Sequence, residues 1–91
     1  NLVMDKIYLL VESDENDRRN SQIIGSFTTF EKAEQIGLSL MLDEREEAAR
    51  AIAPDSDDNY DFHEYFVAKC SVDPSKKNIV AYFKHKVWLN M

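Results

Sequence analysis

The segment Ile23-Ile24-Gly25-Ser26-Phe27-Thr28-Thr29-Phe30-Glu31-Lys32-Ala33-Glu34 constrains this chain's fold more than any other stretch. Two β-branched residues run into a glycine, the mark of a bend or a close backbone approach at the end of a strand. Thr28 stands three residues before Glu31, the spacing of a capping box, in which the two side chains satisfy orphan amides of a helix start. Apolar periodicity changes across the junction from two to about 3.6 residues. A strand is therefore expected to pass through a tight turn directly into a helix.

Ninety-one residues make one domain, 1–91, with a single modest core. A chain of this size buries only roughly 60–65% of the surface its unfolded form exposes. An apolar content of 44% with ten aromatics suits a globular fold and argues against disorder. The one cysteine excludes an internal disulfide framework, so a reducing cytoplasm is the expected compartment. No apolar run approaches the roughly 18 residues of a membrane span, and no signal-peptide pattern opens the chain. Met4 is expected to be the natural start, with Asn1, Leu2 and Val3 an added remnant. The net charge of −6 is uneven: −2 over residues 1–27, −8 over 28–64 and +4 over 65–91. The first two-thirds would repel nucleic acid, and the last third would not.

Lys6 to Glu12 reads as a strand, with Ile7, Leu9 and Val11 on one face and Tyr8 and Leu10 on the other. Two partly apolar faces favour an interior position in a sheet. Ser13 to Ser21 is polar and rich in turn formers, a solvated connector too short for a crossover. Gln22 to Phe27 is then a second strand, antiparallel to the first. After Thr28, the residues Phe30, Ala33, Ile36, Gly37 and Leu40 recur at helical spacing as a sheet-facing stripe. Gly37 sacrifices about 1 kcal/mol of helix propensity, which a close approach of helix to sheet would offset. The helical pattern runs on to Ala53 as one long or two short helices, with a Glu46–Arg50 pair one turn apart, and Pro54 ends it.

Phe62 to Val72 and Ile79 to Leu89 are strand-like runs joined by a turn-forming segment, residues 73–78. A hairpin with Val72 opposite Ile79 gives paired numbers that sum to 151 and places Phe62, Phe66, Ala68, Cys70 and Val72 beside Ile79, Ala81, Phe83, Val87 and Leu89. The opposite face then carries His63, Tyr65, Lys69, Tyr82, Lys84, Lys86 and Trp88. The expected fold class is α+β: a two-layer sandwich of order β-β-α-β-β, with a four-stranded, mainly antiparallel sheet and helix on one face.

The acids Asp55, Asp57 and Asp61 alternate with Asn59 as in the start of an EF-hand loop, but Tyr60 replaces the invariant glycine and Phe66 the terminal glutamate. A solvated loop is the simpler account, and no metal is expected. Cys70 would lie too far from His63 and His85 for an activated thiol, and reads as a small core residue. Glu64 and His85, diagonal neighbours in this register, read as an ion pair at the core's edge. No P-loop, GxGxxG, GxSxG, HExxH or paired CxxC occurs, so neither catalysis nor a cofactor is expected. Aromatics interleaved with lysines compose a protein-binding patch, a stacking platform for nucleic acid, or a face covered by another helix or a second copy. The net charge disfavours nucleic acid.

At Tyr8-Leu9-Leu10 and again over Ile23–Glu34, the chain resembles small uncharacterised phage and bacterial domains whose pattern is a "vYlL" strand, a loop, and "iIGvFsteekA" leading into a helix. The resemblance covers about the first 40 residues and implies a small α+β domain of phage or mobile-element origin. It implies no activity. The leading expectation is a non-enzymatic protein-interaction or regulatory module that binds a protein partner or itself through the aromatic–lysine face. The alternative is an acidic, phage-type inhibitor that mimics nucleic acid and occupies a host nucleic-acid enzyme or defence system. Its surface would be Asp43, Glu46, Glu47, Asp55, Asp57, Asp58 and Asp61.

Overall fold

The computed structural model describes residues 6–51, 62–77 and 83–89. Its elements follow the expected order: β1 (Lys6–Asp14), β2 (Ser21–Phe27), α1 (Phe30–Ala51), β3 (His63–Ser71) and β4 (Phe83–Lys86). The strands form one antiparallel sheet of order β2-β1-β3-β4, so β1 is interior as its two apolar faces required. The helix lies on one side, giving an α+β sandwich. Among the described residues no helix is long and apolar enough to cross a membrane.

The β1–β2 connection is tied down by its own side chains. Asp14 Oδ1 accepts from Asn16 N at 2.8 Å, and Asp17 Oδ1 accepts from Arg19 N at 3.1 Å. Such local bonds are why Asp and Asn favour turns. In β2 the register shifts: Leu10 pairs with Gly25 and Val11 with Ile23, which leaves Ile24 as a bulge beside the glycine. A Cβ on Gly25 would come within 3.1 Å of the Phe27 ring, so the expected close approach is to that ring.

The helix starts one residue later than the capping-box spacing suggests. Thr29, not Thr28, is the cap: its Oγ1 accepts from Lys32 N at 3.3 Å, and its carbonyl accepts from Ala33 N. A lysine at the third helical position cannot reach back as a glutamate would, so the reciprocal half of the box is missing. From there α1 runs unbroken for 22 residues. Ala33, Gly37 and Ala48 are buried, and Phe30, Leu40 and Met41 pack beside them. Ile36, expected on this stripe, is 45% exposed, because a step of about 100° per residue turns it away when Gly37 faces the sheet. The reason for Gly37 is the expected one: an added Cβ would sit 3.3 Å from both Leu10 Cδ1 and Val87 Cγ2.

The β3–β4 register corrects the expected one. Phe66 pairs with Lys86, Val67 with His85 and Ala68 with Lys84, so paired numbers sum to 152. A slip of one residue exchanges the faces of one strand relative to the other. The helix-facing core unites Leu10, Ala33, Tyr65, Val67 and Val87. Phe66, Ala68 and Cys70 point to the other side with Lys84 and Lys86. Maximising apolar matches across one hairpin misled because β3 is interior and apolar on both faces. Residues 79–82, which anchored the expected register, lie outside the described residues.

Candidate functional site

On β1, Tyr8, Leu10 and Glu12 face the helix, so Ile7, Leu9 and Val11 face away from it. Pairing places Cys70, Ala68 and Phe66 beside them on β3, and Ile23 beside Val11 on β2. No described element packs on this open face. Its centre is a groove of about 310 Å³ crossing all four strands, from Ile23 through Val11, Leu9 and Cys70 to Lys84. Ile23 is 62% exposed, and Leu9, Val11, Phe66 and Cys70 are half-buried. The charged groups here are few. Glu64 is nearly covered and receives Lys86 Nζ at 2.7 Å and a two-pronged Arg18 at 3.1 and 3.3 Å. Hydrogen bonds from Lys86 and then Arg18 hold the Glu64 carboxyl below its usual range, against the opposing effect of burial. Arg18 also lies over the Phe66 ring, 5.8 Å from its centroid.

A second concavity, about 500 Å³, opens at the end of the sandwich between Met41, Glu44 and Arg45 of α1 and the residues that leave β4, Val87, Trp88 and Leu89. Its wall is an ionic clasp. Glu44 accepts from His63 N at 2.6 Å and lies 2.8 Å from His63 Nδ1. The Glu44 hydrogen bond, aided by its charge and those of Glu12 and Asp14, raises the His63 pKa above 6.5. Inside, the Tyr65 hydroxyl donates to Glu12 at 3.0 Å, and burial followed by that carboxylate pushes the phenol well above its ordinary value.

The seven residues of the expected aromatic–lysine face are therefore dispersed. Tyr65 is core, at 3% exposure. His63 and Lys69 share its helix-side parity, with His63 on the cleft wall. Lys84 edges the open-face groove, and Lys86 spans from Glu64 to the Trp88 ring, 4.2 Å from its centroid. Trp88 is 64% exposed beside the cleft. Tyr82 lies outside the described residues. The register slip is the physical reason for this dispersal. Glu64 and His85 likewise fall on opposite faces: His85 stacks edge-on against Phe30 at 5.1 Å, with Nε2 3.9 Å from Glu34. Cys70 lies on the open face, not in the helix-side core, and its thiol donates to the Ala68 carbonyl at 3.9 Å.

Of the acidic set, Asp43, Glu46 and Glu47 are exposed at one-turn spacing on α1. Asp55, Asp57, Asp58 and Asp61, with the EF-hand-like pattern, lie outside the described residues. Among the described residues, no cluster of three or more His, Cys, Asp or Glu could hold a metal ion. The apolar groove was missed in the sequence because a β1 apolar on both sides reads as covered on both. The pairs Arg18–Glu64 and Glu44–His63 join residues 46 and 19 positions apart, and no local spacing signals either.

No protein-family model matches the chain, and comparisons with the curated proteins and with the solved structures give no significant match.

Proposed function

We propose that this chain is a non-enzymatic protein-interaction module that docks a partner on the open face of its sheet. The observation that carries the reading is the apolar band of Leu9, Val11, Ile23, Phe66 and Cys70, half-buried apart from the exposed Ile23, on which no described helix or further strand packs. An antiparallel sheet with one solvated face ordinarily alternates apolar and polar residues, and β1 does not. Uncovered apolar surface rimmed by polar groups is the usual mark of an interaction site. Of the charged residues at the two concavities, Glu44 is engaged with His63, and Glu64 with Lys86 and Arg18. That arrangement suits structure better than acid–base work, which needs a group free to exchange a proton with a substrate.

The test is affinity capture with the intact protein, comparing Val11→Lys on the open face with Ser39→Lys on the exposed side of α1. A partner lost with the first and kept with the second supports the reading. Capture indifferent to Val11→Lys overturns it.

The exposed trio Asp43, Glu46 and Glu47 supports a second reading, a phage-type inhibitor that presents carboxylates to a nucleic-acid-binding enzyme. Such binding would weaken steeply with salt and on neutralising Glu46 and Glu47.

A further inference from the structure

We infer that the partner of the open face is an acidic, apolar segment of another protein, and not a second copy of this face; the inference rests on the docking role proposed above. The charge layout carries it. Among the described residues, Lys84, Lys86 and Glu64 of the strands and Arg18 of the β1–β2 connection belong to this face, a balance of +2. The whole chain is −6, which leaves −8 for everything else. Among the described residues, the apolar band thus lies on a locally positive surface of a chain that is acidic as a whole.

A face-to-face dimer would set two such surfaces against each other, each holding +2 around an apolar centre. Like charges juxtaposed at an interface are strongly unfavourable, whereas complementary ones guide encounter and register. Lys84 matters most. Glu64 already holds Lys86 and Arg18, while Lys84 is exposed at the groove's end with no ion pair among the described residues. An incoming carboxylate would find its counter-charge there.

The groove also sets the shape of the guest. Four strands about 4.8 Å apart put Ile23 and Lys84 roughly 14 Å from one another. That distance fits a short segment with apolar side chains over Leu9 and Val11 and an Asp or Glu at the Lys84 end. Nucleic acid fits less well. Among the described residues the groove is lined mainly by aliphatic side chains and by no ring, and Phe66 beside it lies under Arg18.

The test uses the intact protein, a displayed library of random 12-residue peptides as the probe, and Cys70 as the reporter. Cys70 is the chain's only cysteine and lines the groove, so alkylation of its thiol reads whether the groove is occupied. Selected peptides are expected to pair apolar residues with Asp or Glu and to slow Cys70 alkylation. Lys84→Glu should weaken them roughly tenfold and redirect selection towards Lys and Arg. Peptides that protect Cys70 but carry no acidic bias overturn the inference and leave the docking role standing. Peptides that bind without protecting Cys70 overturn both. A concentration-dependent dimer that protects Cys70 by itself shows that a second copy takes the face, and overturns the inference. So does protection of Cys70 by a single-stranded oligonucleotide, or a thiol already inert in the free monomer.

Discussion

Glu44 grips His63 with both oxygens, Oε1 on the backbone amide at 2.6 Å and Oε2 on the imidazole Nδ1 at 2.8 Å, so one helical side chain fixes where β3 begins. The carboxylate favours the protonated ring, and the His63 pKa rises above 6.5. For a group raised on folding, the stability it contributes is complete below the unfolded value and fades as pH climbs through the folded one. The clasp should therefore strengthen the fold at pH 5–6 and relax above neutrality. His63 is 43% exposed at its side chain, so screening limits the effect to below about 1 kcal/mol. Thermal unfolding from pH 5 to 8 should show Glu44→Gln losing this slope. A pH profile identical to wild type would mean the pair does not titrate.

Gly37 sets the distance between helix and sheet. Alanine there gains about 1 kcal/mol of helix propensity, but its Cβ would stand 3.3 Å from Leu10 and Val87, which are 1% and 0% exposed and have no room to retreat. Overpacking of this kind costs about 1–3 kcal/mol. Gly37→Ala should come out destabilised by about 1 kcal/mol, and Gly37→Val by more than twice that. Chemical denaturation measures both, and a stabilised Gly37→Ala would show that the layers can separate freely.

The cap position is open to a paired comparison. Thr29→Ala removes the acceptor for Lys32 N and should cost about 1 kcal/mol. Thr28→Ala, at an exposed residue just before the cap, should change stability by less than half as much. Equal losses in the two variants would return the cap to Thr28.

What was legible in the sequence was what short-range chemistry decides. Gly37 against the sheet, the β1–β2 hairpin and the helix after the Ile23–Phe27 strand all follow from neighbours within a turn or a strand. The cap slipped by one because Thr28 and Thr29 are chemically equivalent, and the glutamate that seemed to choose between them forms no box. The hairpin register slipped because Tyr65 and Val67 compete with Phe66 and Ala68 for the core. Only contact with α1, through Gly37 on Val87, decides which pair wins. The candidate site inherited that slip. The face that carries it was visible as Ile7, Leu9 and Val11, but nothing local says whether such a row is covered.

Glu64 offers the sharpest reading of the open face. Its side chain is 9% exposed and is held by Lys86 at 2.7 Å and Arg18 at 3.1 Å. A carboxylate lowered on folding contributes stability above its unfolded value, near 4.5, and loses it as pH falls through the folded value. Acid unfolding should therefore begin below pH 4.5, and Glu64→Gln should blunt that limb while costing about 1–3 kcal/mol at neutral pH. The two cations should contribute unequally. Arg18 is 69% exposed at its side chain and Lys86 29%, so Arg18→Ala should cost less than 1 kcal/mol and Lys86→Met more. A double-mutant cycle of Lys86→Met with Glu64→Gln isolates the coupling between the pair. Coupling indistinguishable from zero would mean that Arg18 alone satisfies the buried carboxylate, and that Lys86 is as available to an acidic guest as Lys84.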